Sequence, residues 1–402
     1  MSSIYQPPKK ILNRYAQVLI NFALHNGQGL KENEVVFLQV PECAKPILAA
    51  LRKAVLKSGG HAIIQYLPDN MGREFYQLAN KNQLEFFPKK YLKGIVNQAD
   101  HFVSLIADTD KHELEGISPR TIMNRTKAFA PYKKWQEEKE TKGRLTWTLG
   151  LYATSAMARE VGLTLKEYWQ QIIKACFLDY QQPIKKWQTI NQEIIRIKNK
   201  LNQLNINSLH IEAKNTDLNI GLGLNRQWVG GSGNNIPSFE IFTSPDFRQT
   251  EGKISFNQPL YVFGQLVKGV HLEFKRGEVT KIQAEKGQEL LEEMVKVPGG
   301  NLVGEFSLTD GRLSKITQFM GETLYDENRG GKWGNTHIAL GSAYKDCFRG
   351  KKETLSAKDW LALGFNDSVI HTDIVSTTNR AVTAKLTGGS KKVIYKNGRF
   401  II

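Results

Sequence analysis

The chain has 402 residues, 41% apolar and 23% charged, a balance that argues against disorder and predicts a globular protein of two or three domains. Its net charge of +16 sits mostly in residues 1–200, where 30 Lys and Arg face 18 Asp and Glu, yet the basic residues stand singly or in pairs such as Lys89-Lys90 and Lys185-Lys186. With no run of five and no nucleic-acid-binding motif, that field reads as a solvated basic surface, with a nucleic-acid-binding protein the lesser alternative.

The opening "MSSIYQPPKKILNRYAQVLINFAL" lacks a clean apolar run ending in small residues and does not read as a secretory signal. No stretch approaches the roughly 18–20 apolar residues of a membrane span, so no membrane partner is expected. Cys43, Cys176 and Cys347 are widely spaced and form no CxxC pair, which fits reduced thiols in a cytoplasmic protein.

In chain order, "ILNRYAQVLINFAL" has helical apolar spacing, "HNGQGLKENE" turns, and "VVFLQV" is a short buried strand. "AKPILAALRKAVLKSGG" is a helix stopped by Gly59-Gly60, and "HAIIQYL" and "ADHFVSLIA" are further strands. Strand and helix alternating at this spacing predict an α/β domain with a largely parallel sheet over residues 1–182. The amphipathic "PIKKWQTINQEIIRIKNKLNQLN" predicts a linker helix over 183–206. From 207 to 402 the texture turns to strands and turns, which predicts a β-rich α+β domain. Within it "VHLEFKRGEVTKIQA" is a hairpin turning at Arg276-Gly277, and helical insertions are expected near 285–296 and 337–347. The glycine-rich "GLGLNRQWVGGSGNN" (221–235) lacks both GxGxxG spacing and a GK[ST] element, so it reads as a turn and a flexible loop.

Six of the eight histidines (His25, His61, His101, His112, His210 and His271) have no second ligand-type residue at a useful spacing and read as structural or exposed. The other two differ. "NDSVIHTDIV" places His371 and Asp373 two apart in an extended run, so imidazole and carboxylate project from one face. They could bind a divalent metal or simply hydrogen-bond to each other. Glu240 stands isolated between Phe239 and Ile241, and Glu305 lies at the head of an apolar strand. Such acids are costly to bury unless paired or coordinated. Glu322, Asp326 and Glu327 crowd together ahead of His337, which opens "HIALGSAY" at an expected helix start. Carboxylates able to balance two cations, with imidazoles to complete their shells, are the inventory of a dinuclear hydrolase site.

The ordered set "IPSFEIFTSPD", "GEFSLTD", "LYDEN", "HIALGSAY" and "HTDIV" resembles the thermophilic metalloprotease family of aminopeptidases, and the likeness extends over nearly the whole chain. The resemblance implies a dinuclear, metal-dependent hydrolase of N-terminal peptide bonds acting through a metal-bridged water, with two zinc, cobalt or manganese ions. It implies metal ligands at Glu240, Glu305, Glu327, His337, His371 and Asp373, with Glu305 bridging. Glu240 would also shuttle the proton, and Tyr344 would stabilise the oxyanion. Substrates would be peptides with a free N-terminus, and the protein a homodimer. The "RGGKWGNT" stretch before His337 is longer than the family pattern and could form a loop over the cleft. That leaves Glu322 and Asp326 as alternatives to Glu327, and an inactive peptide-binding homologue as the rival reading.

Overall fold

The computed structural model describes residues 5–402. Among the described residues the first half builds a five-stranded parallel sheet in the order His61–Leu67, Val35–Pro41, His101–Ile106, Thr146–Leu151, Asn235–Ile236. The last of these strands comes from the second half of the sequence. Val36, Leu38 and Val40 of the second strand in that order are buried, as expected of a parallel strand covered by helices. Helix Lys9–Asn21 packs against helix Lys45–Lys57 and sends Tyr15 to the end of the fourth strand. There the Tyr15 hydroxyl accepts the Leu151 N–H at 2.8 Å and donates to the Leu151 carbonyl at 3.2 Å. The Lys45–Lys57 helix stops where Gly59 takes φ 75°, which lets the Gly60 N–H turn back to the Val55 carbonyl.

Helix Pro183–Gln203 buries Trp187, Ile190, Ile194, Ile197 and Leu201, the stripe its periodicity predicts. Trp187 stacks on Phe22 of the first half, centroids 5.7 Å apart, and on Phe239 of the second, 5.4 Å apart. Buried apolar residues from Leu12 to Phe400 form one continuous cluster across both halves.

The second half carries an eight-stranded antiparallel sheet, ordered Glu278–Gln283, His271–Lys275, Thr250–Ser255, Thr216–Gly221, Ile206–Ala213, Arg380–Leu386, Lys391–Lys396, Arg399–Phe400. The predicted hairpin turns at Arg276 and Gly277, both with positive φ, as a two-residue I′ turn requires. A separate four-stranded antiparallel sheet is ordered His371–Ser376, Asn335–Gly341, Val303–Thr309, Glu240–Thr243. The expected α/β half followed by a β-rich half is therefore what forms.

One expectation fails within this last sheet. His337 does not open a helix: Asn335–Gly341 is a strand, followed by a short 3₁₀ turn at Lys345–Cys347. All seven residues of the strand are buried, so the alternation that marks a half-buried strand is missing from its sequence.

Candidate metal centre

The four-stranded sheet sorts its side chains by register. Its two central strands pair Ser307 with His337 and Glu305 with Ala339, while Ala339 also pairs with Asp373 and Gly341 with His371. On the other flank Thr309 pairs with Glu240. Paired residues share a face, so Glu240, Glu305, His337, His371 and Asp373 all project to one side. Phe306, Leu308, Ile338, Leu340 and Ile374 fill the other side as core. Ser307, Ala339 and Gly341 are small, which leaves space between the functional groups.

Glu327 enters from outside the sheet, just after the helical turn Thr323–Asp326. Asn235 Nδ2 donates to its Oε1 at 3.1 Å, and the Thr309 hydroxyl donates to its backbone carbonyl at 3.2 Å. The next residue, Asn328, accepts the Phe239 N–H at 2.6 Å, which ties the Glu327 turn to the strand that carries Glu240. Glu322 and Asp326 do other work. Glu322 pairs with Lys111 at 2.9 Å, and Asp326 accepts the backbone N–H groups of Met320 and Glu322.

His337 Nε2 lies 3.1 Å from Glu305, 3.4 Å from Glu240 and 3.6 Å from Asp373. His371 Nε2 lies 3.4 Å from Asp373 and 3.5 Å from Glu305, while its Nδ1 donates to the Ser342 carbonyl at 2.8 Å. That second hydrogen bond turns Nε2 toward the carboxylates, as a ligand histidine requires. Three overlapping trios keep their donor atoms within 4.8 Å of one another: Glu240, Glu305 and His337; Glu305, His371 and Asp373; Glu327, His337 and Asp373.

Four carboxylates so close together and so well buried repel one another. Burial first, then the Glu305 and Asp373 charges, push the Glu240 carboxyl up to about 7 against the pull of His337. Glu327 is raised well above the usual range by burial and then by Asp373 and Glu240. Burial works against charge on the imidazoles, but Glu305 and Asp373 prevail and lift His337 to about 9 and His371 to about 10. Burial also opposes the Asp373 charge, yet His371 holds its carboxyl down at about 2. His337 Nδ1 and Asp373 Oδ1 are buried without a hydrogen-bond partner. A donor set of oxygen and imidazole nitrogen, crowded with negative charge and with an unpaired oxygen inside, fits divalent cations.

The cleft over this cluster is lined on the far side by Lys133, Glu137, Glu140 and Trp147 of the first half, and nearer by Phe242 and Tyr344. The Tyr344 ring meets His371 edge-on at 4.8 Å. Burial and then the Glu305 charge push its phenol well above the ordinary value, so its hydroxyl keeps its proton. Residues 329–336 do not line the cleft. They pack instead on the turns at Gly311 and Gly398, where backbone approaches leave no room for a Cβ at Gly334. The expected loop over the cleft is absent because the glycines let this segment fold back onto the sheet edge. Asn235, Asn328 and the residues of the first half went unrecognised in the sequence, which carries no local mark for them. His25 and His101, read as lacking a ligand-type neighbour, in fact converge on Glu34.

A carboxylate and imidazole cluster buried on a sheet face and opening to a cleft is the donor set that a metal-dependent hydrolase requires. The sequence model of the thermophilic metalloprotease (M29) family matches residues 8–400, and the chain belongs to that family. It is therefore a metal-dependent peptide hydrolase. It is 26% identical over 420 residues to "Aminopeptidase PepS" of Streptococcus thermophilus, covering 98% of each chain. It is likewise 26% identical over 411 residues to "Aminopeptidase T" of Thermus thermophilus, covering 97% of this chain and 99% of that one. The solved structure of wild-type AmpT from Thermus thermophilus superposes with a TM-score of 0.83 at 25% identity, over 98% of this chain and all of the other.

Proposed function

We propose that this protease is an aminopeptidase that removes single residues from peptides with a free N-terminus, using two divalent ions. The observation that carries this reading is the overlap of the three donor trios. Glu305, His337 and Asp373 each belong to two of them, and of the two carboxylates Glu305, within reach of both histidines and with two oxygens to offer, would be the one shared between the ions; Glu240, His371 and Glu327 would complete the set. Zinc, cobalt or manganese in this set would polarise the peptide carbonyl and acidify the attacking water.

The chain's own groups supply the rest. Glu240 would accept the proton from the attacking water and return it to the departing amine. The Tyr344 hydroxyl donates to the carbonyl oxygen as it gains charge. The cleft carboxylates hold the α-ammonium group, which restricts cleavage to the first peptide bond. A cytoplasmic site of action and a homodimer belong to the same proposal. The first is supported by three unpaired thiols. The second is supported by the edge strand His61–Leu67, whose Ile63, Ile64 and Tyr66 are 38%, 41% and 40% exposed.

The test is release of the N-terminal residue from a free peptide, in metal-free buffer and with each metal, against an N-acetylated copy and the His371→Ala variant. Metal-dependent release confined to the free peptide and the intact site is expected. No release by folded protein with any metal would overturn the reading in favour of an inactive peptide binder.

A further inference from the structure

At the opposite edge of the parallel sheet from the ends of its strands, three residues distant in sequence meet at the strand starts. Glu34 immediately precedes Val35–Pro41, His101 opens His101–Ile106, and His25 lies in the turn Leu24–Gly27 after the first helix. His25 Nε2 is 2.7 Å and 2.9 Å from the two Glu34 oxygens, and His101 Nε2 is 3.0 Å from Oε2. His101 is 1% exposed, while the His25 and Glu34 side chains are 23% and 21% exposed.

We propose that His25, Glu34 and His101 form a second metal site, separate from the cleft, that takes a zinc-like divalent transition cation. Both Nε2 atoms aim at one carboxylate. His101 Nδ1 is held at 2.8 Å by the Thr146 hydroxyl, which also accepts the His25 backbone N–H at 3.3 Å. An outer partner on the far ring nitrogen is what orients a ligand histidine. In the tautomer whose Nδ1–H donates to Thr146, the His101 Nε2 lone pair faces a carboxylate oxygen, and a cation between them would be held by both.

The backbone supports the same conclusion. His25 and Asn26 both adopt left-handed conformation, with φ 51° and 55°. Histidine and asparagine are among the residues that accept this region, and the turn they form swings the His25 ring onto Glu34. Two nitrogens and a carboxylate with a partly open side match a zinc site completed by water. Tetrahedral donors stand about 3.4 Å apart, so contacts now at 2.7–3.0 Å would open by roughly 0.4–0.7 Å to admit the ion. Such an ion would pin the kink after the first helix to the starts of two strands, and its binding would add to stability by mass action.

The experiment compares chelator-treated full chain with His25→Asn and Glu34→Gln, titrating zinc against a chromophoric chelator. Asparagine tolerates the left-handed backbone and removes the imidazole. Each variant is expected to bind one tight zinc equivalent fewer per chain than the parent, and to lose part of the zinc-dependent rise in melting temperature. N-terminal residue release at the cleft is expected to remain. If both variants are folded and titrate like the parent, the trio is a hydrogen-bonded cluster and the site does not exist. Should Glu34→Gln fail to fold, His25→Asn decides alone. The readout is a difference at residues outside the cleft, so it stands whether or not the aminopeptidase reading does.

Discussion

His337 Nε2 sits 3.1 Å from Glu305 Oε1 at the centre of a sheet face where its nearest neighbours are the carboxylates of Glu305, Glu240 and Asp373. Neither residue has another role in the core, so removing either should empty the centre rather than unfold the protein. His337→Ala and Glu305→Gln are expected to lower bound metal and to cut N-terminal residue release by more than the roughly 10–100-fold that outer-shell changes cost. Elemental analysis alongside kinetics checks this, and a variant with full metal and full activity would remove these two from the site.

Glu240 also receives hydrogen bonds, from Ser238 at 3.3 Å and Ser307 at 3.2 Å, which hold it in place without a metal. Glu240→Gln keeps an accepting oxygen for one of those serines and loses the proton carrier. Its kcat should fall about 10²–10⁴-fold with KM little changed. A matched fall in peptide affinity instead would make Glu240 a binding group.

Tyr344→Phe removes one hydroxyl and leaves the ring against His371. A kcat loss of roughly 10²–10³-fold is expected, the range for a lost oxyanion donor. Unchanged kcat would show that the hydroxyl does not face the reacting carbonyl.

Metal loading should release protons. In the metal-free cluster His337 and His371 titrate near 9 and 10, so at pH 7 both rings carry a proton that a ligand must give up. Affinity should therefore rise with pH and level off only above those values. Calorimetry in two buffers of different protonation enthalpy measures the release, and no release at pH 7 would contradict the assignment of both rings as ligands.

Lys111 lies buried between Asp108, at 2.7 Å, and Glu322, at 2.9 Å, and joins the two halves away from the metal cluster. Lys111→Met leaves Glu322 buried without its counter-charge, at a cost of about 3–5 kcal/mol. Burial already raises the Glu322 pKa, and without Lys111 it rises further, so protonation relieves the penalty as pH falls. Denaturant midpoints should show a larger loss at pH 8 than at pH 5, and an equal loss at both would exclude this cause.

The parts of this centre that were legible in the sequence are those that local physics marks. His371 and Asp373 could be paired because period two puts them on one face, and Glu240 stood out as an acid with apolar neighbours on both sides. Glu327 could not be told from Glu322 and Asp326, since all three share one turn and only long-range partners such as Asn235 and Lys111 distinguish them. The strand around His337 was hidden because burial on both faces erases its alternation. The His25–Glu34–His101 trio was invisible for a related reason: strand order, not spacing, brings it together.

The short strand Asn235–Ile236 pairs with the parallel sheet of the first half, yet Asn235 also steadies Glu327 at the metal cluster in the second. A chain divided at residue 182 would leave the first part with an unfilled sheet edge and the second with residues 235 and 236 unpaired beside the acid that Asn235 steadies. The two halves are thus not interchangeable modules. Recombining either with a distant relative's counterpart should succeed only if the crossover carries residues 235 and 236 along with the sheet they complete.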